Sequence, residues 1–386
     1  MAPKKDGREQ WGSQWGFILA TVGSAVGLGN VWRFPTVVAE NGGGTFLLIY
    51  LLIVFLVGIP LMIAEIALGR AGKRNVVGSL RTISPRYGWM VGIFPLAASF
   101  IVLSFYFVVA GWTLIFVISS IGGVTTGMEA EELTRFFQAI TSNTIYPLVA
   151  QIGFIAITVA IVIVGVKNGI ERWGKILMPG IILLLLVLLI RTAFLDGFWS
   201  GVAWFFRPEL EALTFSTALE GVGQVFFSFS LGMGAILTFG SYLPRQSNIP
   251  QNSLYISLAD LGVAILTGLI VIPALFVFGL SPETGPGLIF ITLPALFNTI
   301  PWATVWSTIF FLLLTFAAVT STVSLLEVLV AYLREELGWG RSAAAVLAGL
   351  GIFLVSVPAA LSQGALDYVS VWGGIFSIFL TLQLPI

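Results

Sequence analysis

Gly23-Ser24-Ala25-Val26-Gly27-Leu28-Gly29-Asn30-Val31-Trp32-Arg33-Phe34-Pro35 lies inside an apolar stretch of membrane-spanning length, yet it is badly suited to a continuous helix. Gly23, Gly27 and Gly29 each cost roughly 1 kcal/mol relative to alanine in a helix interior, and Pro35 lacks the N–H that the helix ladder needs. Backbone groups freed by unwinding cannot go unpartnered in hydrocarbon, so irregular backbone at bilayer depth faces protein or a water-filled cavity. Helix ends exposed to such a cavity offer N–H groups to carboxylates and carbonyls to cations.

The rest of the composition agrees with a membrane setting. Apolar residues make up 58% of the chain and charged residues 9%, with a mean hydropathy of +1.02, far from the values of a soluble domain. A net charge of zero gives no reason to expect nucleic acid as a partner. The absence of cysteine and histidine excludes disulfides, thiolate nucleophiles, imidazole acid/base chemistry and the usual zinc or haem ligation, so no enzyme is expected. The polar first ten residues lead into a stretch with no small-residue cleavage site, and no signal peptide is read.

At roughly 20 apolar residues per span, the sequence predicts an all-α integral membrane protein with ten spans. They fall near 15–38, 44–69, 89–123, 146–166, 172–195, 216–242, 253–280, 301–336, 341–361 and 367–386. A cytoplasmic N-terminus places Lys4, Lys5, Arg8, Arg70, Lys73, Arg74, Arg81, Arg86, Lys167, Arg172, Lys175, Arg245, Arg334 and Arg341 inside. Only Arg135, Arg191 and Arg207 then fall in outer loops, as the positive-inside rule requires. Trp11, Trp15, Trp32, Trp89 and Trp204 read as an interfacial belt.

A second interruption, Ser228-Phe229-Ser230-Leu231-Gly232-Met233-Gly234, falls in the sixth span. Five spans per set is odd, so residues 1–195 and 196–386 form inverted repeats with broken first and sixth spans in matching places, the arrangement that frames a midplane binding site. Tight packing through small residues explains either interruption alone, but not the matched pair.

Gly27-Leu28-Gly29-Asn30-Val31-Trp32-Arg33-Phe34-Pro35, Glu40-Asn41-Gly42-Gly43-Gly44, Gly58-Ile59-Pro60-Leu61 with Glu65, Gln224-Val225-Phe226-Phe227-Ser228 and Thr320-Ser321 resemble the neurotransmitter:sodium symporter family, in its prokaryotic amino-acid branch. The resemblance runs from Arg8 to about Trp372. It implies a sodium-coupled symporter of the bacterial leucine-transporter-like fold, in a prokaryotic plasma membrane. Twelve spans are usual there, and the sequence stops at Ile386 inside or just after the tenth. Oligomeric state is not readable.

The resemblance also implies a site, with two sodium ions. One would be held by the carbonyls of Gly23, Val26 and Ala317 and the hydroxyls of Thr320 and Ser321. The other would use the Ala25 carbonyl, Asn30, Ser228 and the substrate carboxylate, which couples ion to substrate directly. Taken alone, Thr320 and Ser321 also suit hydroxyls bonded back to the preceding turn. The N–H groups of Leu28 and Gly29 would receive the substrate carboxylate, with Tyr106 donating to it. Val102, Phe227, Ser230, Met233, Ser321 and Leu325 would surround the side chain. This lining carries no countercharge, so a neutral hydrophobic or aromatic amino acid is expected.

Asp260 falls within the seventh span, where an ionisable side chain is a functional candidate by default. Family members that need chloride carry an asparagine near this position and a serine one turn on, beside residues matching Tyr50, Gln224 and Ser228. Here the pair is Asp260 and Ala264, so a fixed carboxylate would stand in for the anion near the sodium. Glu65 would hold the unwound backbone around Ser230 and Gly232. Arg8 with Glu335 would close the cytoplasmic side, and Arg33, Phe227, Tyr106 and Tyr242 would contribute to the outer and inner closures. The usual acidic partner of Arg33 aligns with Ser370, leaving Asp367 as the nearest acid. Proton coupling through Asp260, and a receptor that binds an amino acid without moving it, stay open as alternatives.

Overall fold

Glycine, proline and short polar turns divide the apolar chain into helices, and the computed structural model describes residues 9–278 and 287–361. Helix α1 (Gln14–Ala25) starts at Ser13, whose hydroxyl accepts the Gly16 N–H at 2.9 Å and so caps the helix. It stops at Val26, where the backbone turns extended. Helix α2 (Gly29–Glu40) resumes the span with a widened first turn, bent by 51° from α1. Helices α3 (Gly44–Gly72), α4 (Val76–Ile83), α5 (Gly88–Ile121), α6 (Ala130–Thr141), α7 (Ile145–Ile163) and α8 (Val166–Ala193) complete the first half.

Helix α9 (Phe198–Phe206) precedes the second broken span, α10 (Phe215–Ser228) and α11 (Ala235–Ser241). Then come α12 (Ile249–Phe278), α13 (Leu288–Asn298), α14 (Ala303–Glu336) and α15 (Arg341–Leu361). Between α10 and α11 the chain takes positive φ at Ser230 (52°), Gly232 (72°) and Gly234 (77°). Glycine adopts that region freely and serine does not. Ser230 is held there by its hydroxyl, which donates to Ser24 O at 2.9 Å.

Every span expected as far as residue 361 appears as a helix, the first and sixth broken where the sequence indicated. The span expected over 367–386 lies outside the described residues. Among those described, seven helices are long and apolar enough to cross a bilayer, or eight when the bent α1–α2 pair counts as one. Helices α4, α6, α9 and α13 were not foreseen, because they are too short to register as spans. The outer loop expected to carry Arg135 is largely α6, which Glu129 and Glu132 start with a reciprocal capping box.

The spans α5 and α14 pack together as the buried centre, with most of their apolar length inside the protein. Helix α1 lies against α8, α12 and α14, and α11 lies against α3. That last pairing needs glycine: a Cβ on Gly69 would stand 1.9 Å from Leu237 O, so the two backbones touch as small-residue packing allows. One expectation fails. Trp11 is buried, its indole N–H donating to Phe239 O at 3.0 Å and its ring edge-on to Phe17 and Phe239, so it plugs the protein instead of joining an interfacial belt.

Candidate functional site

Both interruptions meet α14 at the centre of the fold. Thr320 Oγ1 lies 2.9 Å from Ala317 O, 3.3 Å from Phe316 O and 3.5 Å from Val26 O. The Gly23 backbone abuts the same side chain, since a Cβ there would be 3.1 Å from Thr320 Cβ. Gly23, Val26, Ala317 and Thr320 therefore meet across the α1–α14 contact, where the Val26 and Ala317 carbonyls and the Thr320 hydroxyl are oxygens of the kind a hard cation takes. The bond to the preceding turn and the contact with Val26 coexist. Ser321 is turned differently: its hydroxyl donates to Ser24 O at 3.4 Å and faces the Tyr106 hydroxyl.

Asp260 is buried on α12 between the two broken spans. Its Oδ1 accepts from Asn30 Nδ2 at 2.9 Å and its Oδ2 from Ser228 Oγ at 2.7 Å. Asn30 Oδ1 in turn accepts the Gly27 N–H at 3.3 Å. The two side chains named for the second cation thus bracket one carboxylate. Tyr50 is fully buried within electrostatic reach of it, and Ala264 is also buried. Gln224 faces away, donating to Gly29 O at 3.1 Å and accepting from Arg33 at 2.6 Å.

The Leu28 N–H donates to the Tyr106 hydroxyl at 3.1 Å. Among the remaining expected lining residues, Val102, Ser230, Met233 and Leu325 are buried, and Phe227 is partly buried with its ring over Gly29. Ser99 donates a short hydrogen bond to Met233 O, which fixes the backbone that carries this side chain. Glu65 accepts the Gly232 N–H at 2.7 Å, within the α10–α11 break. It does not hold Ser230, which is tied to α1 instead.

Arg33 finds partners on the sixth span. Its guanidinium pairs with Glu220 at 2.9 Å as well as with Gln224, both on α10. Asp367, the acid considered for it from sequence, lies outside the described residues, as does Arg8. Glu335 accepts from Asn75 N at 2.7 Å and Asn75 Nδ2 at 3.1 Å. Tyr242 donates to Glu327 at 2.6 Å, and that buried carboxylate also pairs with Arg341 at 2.5 Å.

Sequence reading missed Ser24, Ser324, Glu220, Glu327 and Arg341. Ser24 Oγ donates to Ser324 Oγ at 2.7 Å, and Ser324 donates to Ser321 O at 2.8 Å, so buried hydroxyls link both breaks to α14. The available signal was the three-residue spacing of Ser321 and Ser324, which puts them on one face of a helix. Glu327 carried a stronger one as an acid inside an apolar span.

Paired broken spans around an oxygen-lined centre define a membrane transporter of the inverted-repeat kind. The family model described as the sodium:neurotransmitter symporter family matches residues 8–131 and 143–372, and the chain belongs to that family. It is 39% identical over 375 residues to the uncharacterized sodium-dependent transporter YhdH of Bacillus subtilis, covering 95% of this chain and 82% of the relative. It is 34% identical to the uncharacterized sodium-dependent transporter MJ1319 of Methanocaldococcus jannaschii, over 94% of this chain and 77% of that one. The crystal structure of MhsT in complex with L-phenylalanine superimposes with a TM-score of 0.90 at 42% identity, over 97% of this chain and 88% of that chain. The protein is thus a sodium-dependent transporter with a multi-pass helical fold, not an enzyme.

Proposed function

We propose that the protein is a symporter that couples two sodium ions to the entry of a neutral hydrophobic or aromatic amino acid, without chloride, across a prokaryotic plasma membrane and with its N-terminus in the cytoplasm. The observation that carries this reading is the junction at Ser24: beside the α1 break its carbonyl accepts both Ser230 from the α10–α11 break and Ser321 from α14. Two half-helix ends and the cation-suited oxygens of α14 share one small volume.

The substrate carboxylate would take the Leu28 N–H, with Tyr106 turning its hydroxyl to donate to it. One sodium would sit among Gly23, Val26, Ala317 and Thr320, with Ser321 turning toward it. The other would lie at Ala25, Asn30 and Ser228 beside Asp260, whose fixed charge takes the part of an anion. A substrate side chain among Val102, Phe227, Met233 and Leu325 meets mostly carbon, and the L-phenylalanine bound by MhsT supports a pocket of that kind. Sodium shared between α1 and α14 would favour the outward-facing arrangement, and its loss inward would release α1.

Equilibrium binding of radiolabelled L-phenylalanine tests the reading. Binding should require sodium and should be unchanged when gluconate replaces chloride. Equal binding in potassium alone would refute it.

A further inference from the structure

We infer that Glu9 and Glu171 form a reciprocal clasp between the starts of α1 and α8, which shuts the cytoplasmic route to Thr320 and opens when α1 swings away. The inference rests on the proposed release of α1 when sodium leaves inward and adds the two residues that position α1 against α8.

Each carboxylate accepts one backbone N–H at or just before the start of the opposite helix. Glu171 Oε2 accepts the Gly12 N–H at 2.6 Å, and its Oε1 accepts the Ser13 hydroxyl at 3.0 Å. Ser13 is the cap of α1, so Glu171 orients the cap itself. Lys175 pairs with Glu171 at 2.6 Å. In return, Glu9 Oε2 accepts the Val166 N–H at 2.8 Å, at the start of α8. The other oxygen of Glu9 pairs with Arg334 at 2.7 Å and Arg341 at 3.1 Å. Free N–H groups at helix starts attract carboxylates; Val166, the first residue of α8, gives its N–H to Glu9 from the segment ahead of α1, while Glu171 of α8 takes the Gly12 N–H just before the α1 cap.

The fit between the helices is close. A Cβ on Gly16 would stand 2.1 Å from Glu171 Oε1, so the carboxyl lies directly against the first turn of α1. Further along, a Cβ on Gly174 would be 3.1 Å from Ala20 Cα. Where Ala20 and Gly174 approach Thr320 the seam holds a narrow void of about 10 Å³, with Leu177 and Val323 among its walls. That is room for about one water at most. A hydrated ion taking this seam to Thr320 would need α1 and α8 to part, and in the orientation proposed above the clasp sits at the cytoplasmic end of the seam.

The chain has no cysteine, so Val323→Cys supplies a single reporter on the seam. Its rate of modification by a charged, membrane-impermeant methanethiosulfonate should be low, and lower still with saturating sodium and L-phenylalanine. Glu171→Ala should raise the sodium-free rate by roughly tenfold, an ordinary coupling between two positions of an equilibrium, and sodium with substrate should reverse most of the increase. Glu9→Ala should act in the same direction, and the double variant should fall short of the product of the two effects. Glu171→Gln, which keeps one acceptor oxygen, should be intermediate, and it carries the test if the alanine variant does not fold. A rate left at background in the Glu171 variants, or an increase that sodium cannot reverse, overturns the clasp. A reporter whose rate ignores sodium in the otherwise unaltered protein overturns the transport reading and the clasp with it.

Discussion

Asp260 Oδ1 accepts a hydrogen bond from Asn30 Nδ2 at 2.9 Å, which fixes the carboxylate of one intact span to the broken first span. With Ser228 on the other oxygen at 2.7 Å, the carboxylate faces both side chains expected to hold a sodium ion. A unit charge about 4 Å away attracts by about 4 kcal/mol at an effective dielectric of 20.

Asp260→Asn should therefore weaken sodium affinity at least roughly tenfold and lower uptake. Adding Ala264→Ser, one turn along α12, should restore part of the activity only in chloride, because Tyr50, Ser228 and the new hydroxyl would then surround an anion. Sodium titration of uptake in chloride and in gluconate checks both. An Asp260→Asn protein that behaves normally in either medium would remove this role.

At the other cation position the geometry ranks two hydroxyls. Thr320 already reaches Val26 and Ala317, whereas Ser321 is turned toward Ser24. Thr320→Val should cost sodium-driven uptake roughly tenfold or more, in line with losing a hydrogen-bond-strength contact to a charge. Ser321→Ala alone should cost less, and the double variant should be inactive. Sodium-dependent uptake measured on the three variants decides, and normal transport by the double variant would show that the site lies elsewhere.

The two interruptions were legible because glycine and hydroxylic residues inside apolar spans have few other uses, and Asp260 stood out as a lone acid in its span. The partner of Arg33 was not legible. Glu220 lies only a few residues into the span expected over 216–242, where an acid reads as an ordinary interfacial charge, and only folding brings it within 2.9 Å of Arg33. Glu171 and Glu9 were hidden for a similar reason: beside their side-chain partners, each reaches the opposite helix through a backbone N–H, which every residue but proline owns. Ser24 shows a third kind of loss, since a small residue beside a break gives no hint of which oxygen it will use.

Substrate selectivity follows from the lining. Neutral hydrophobic amino acids should outcompete glutamate or lysine by at least roughly two orders of magnitude, because an unpaired buried charge costs several kcal/mol. Met233→Ala should shift preference toward bulkier side chains. Competition against radiolabelled L-phenylalanine measures both, and equal displacement by glutamate and leucine would rule out the pocket.

The cytoplasmic contacts should weaken in acid. Partial burial alone would raise the Glu9 carboxyl, but Arg341, the Val166 N–H and Arg334 outweigh it and hold the group below its ordinary value of 4.5. A depressed folded value contributes stability that is fully present above the unfolded value and is lost as pH falls through the folded one. Glu9→Gln should therefore lower the melting temperature of the purified protein near pH 7, with the gap to wild type closing as pH falls below 4.5. A gap independent of pH would mean that the glutamate acts through shape alone.

Uptake of L-phenylalanine into proteoliposomes under an imposed sodium gradient tests the central claim most directly. The account predicts accumulation above the external concentration that collapses when the gradient is dissipated and persists in chloride-free medium. Sodium-dependent binding without accumulation, or uptake driven equally by a proton gradient with no sodium present, would contradict it.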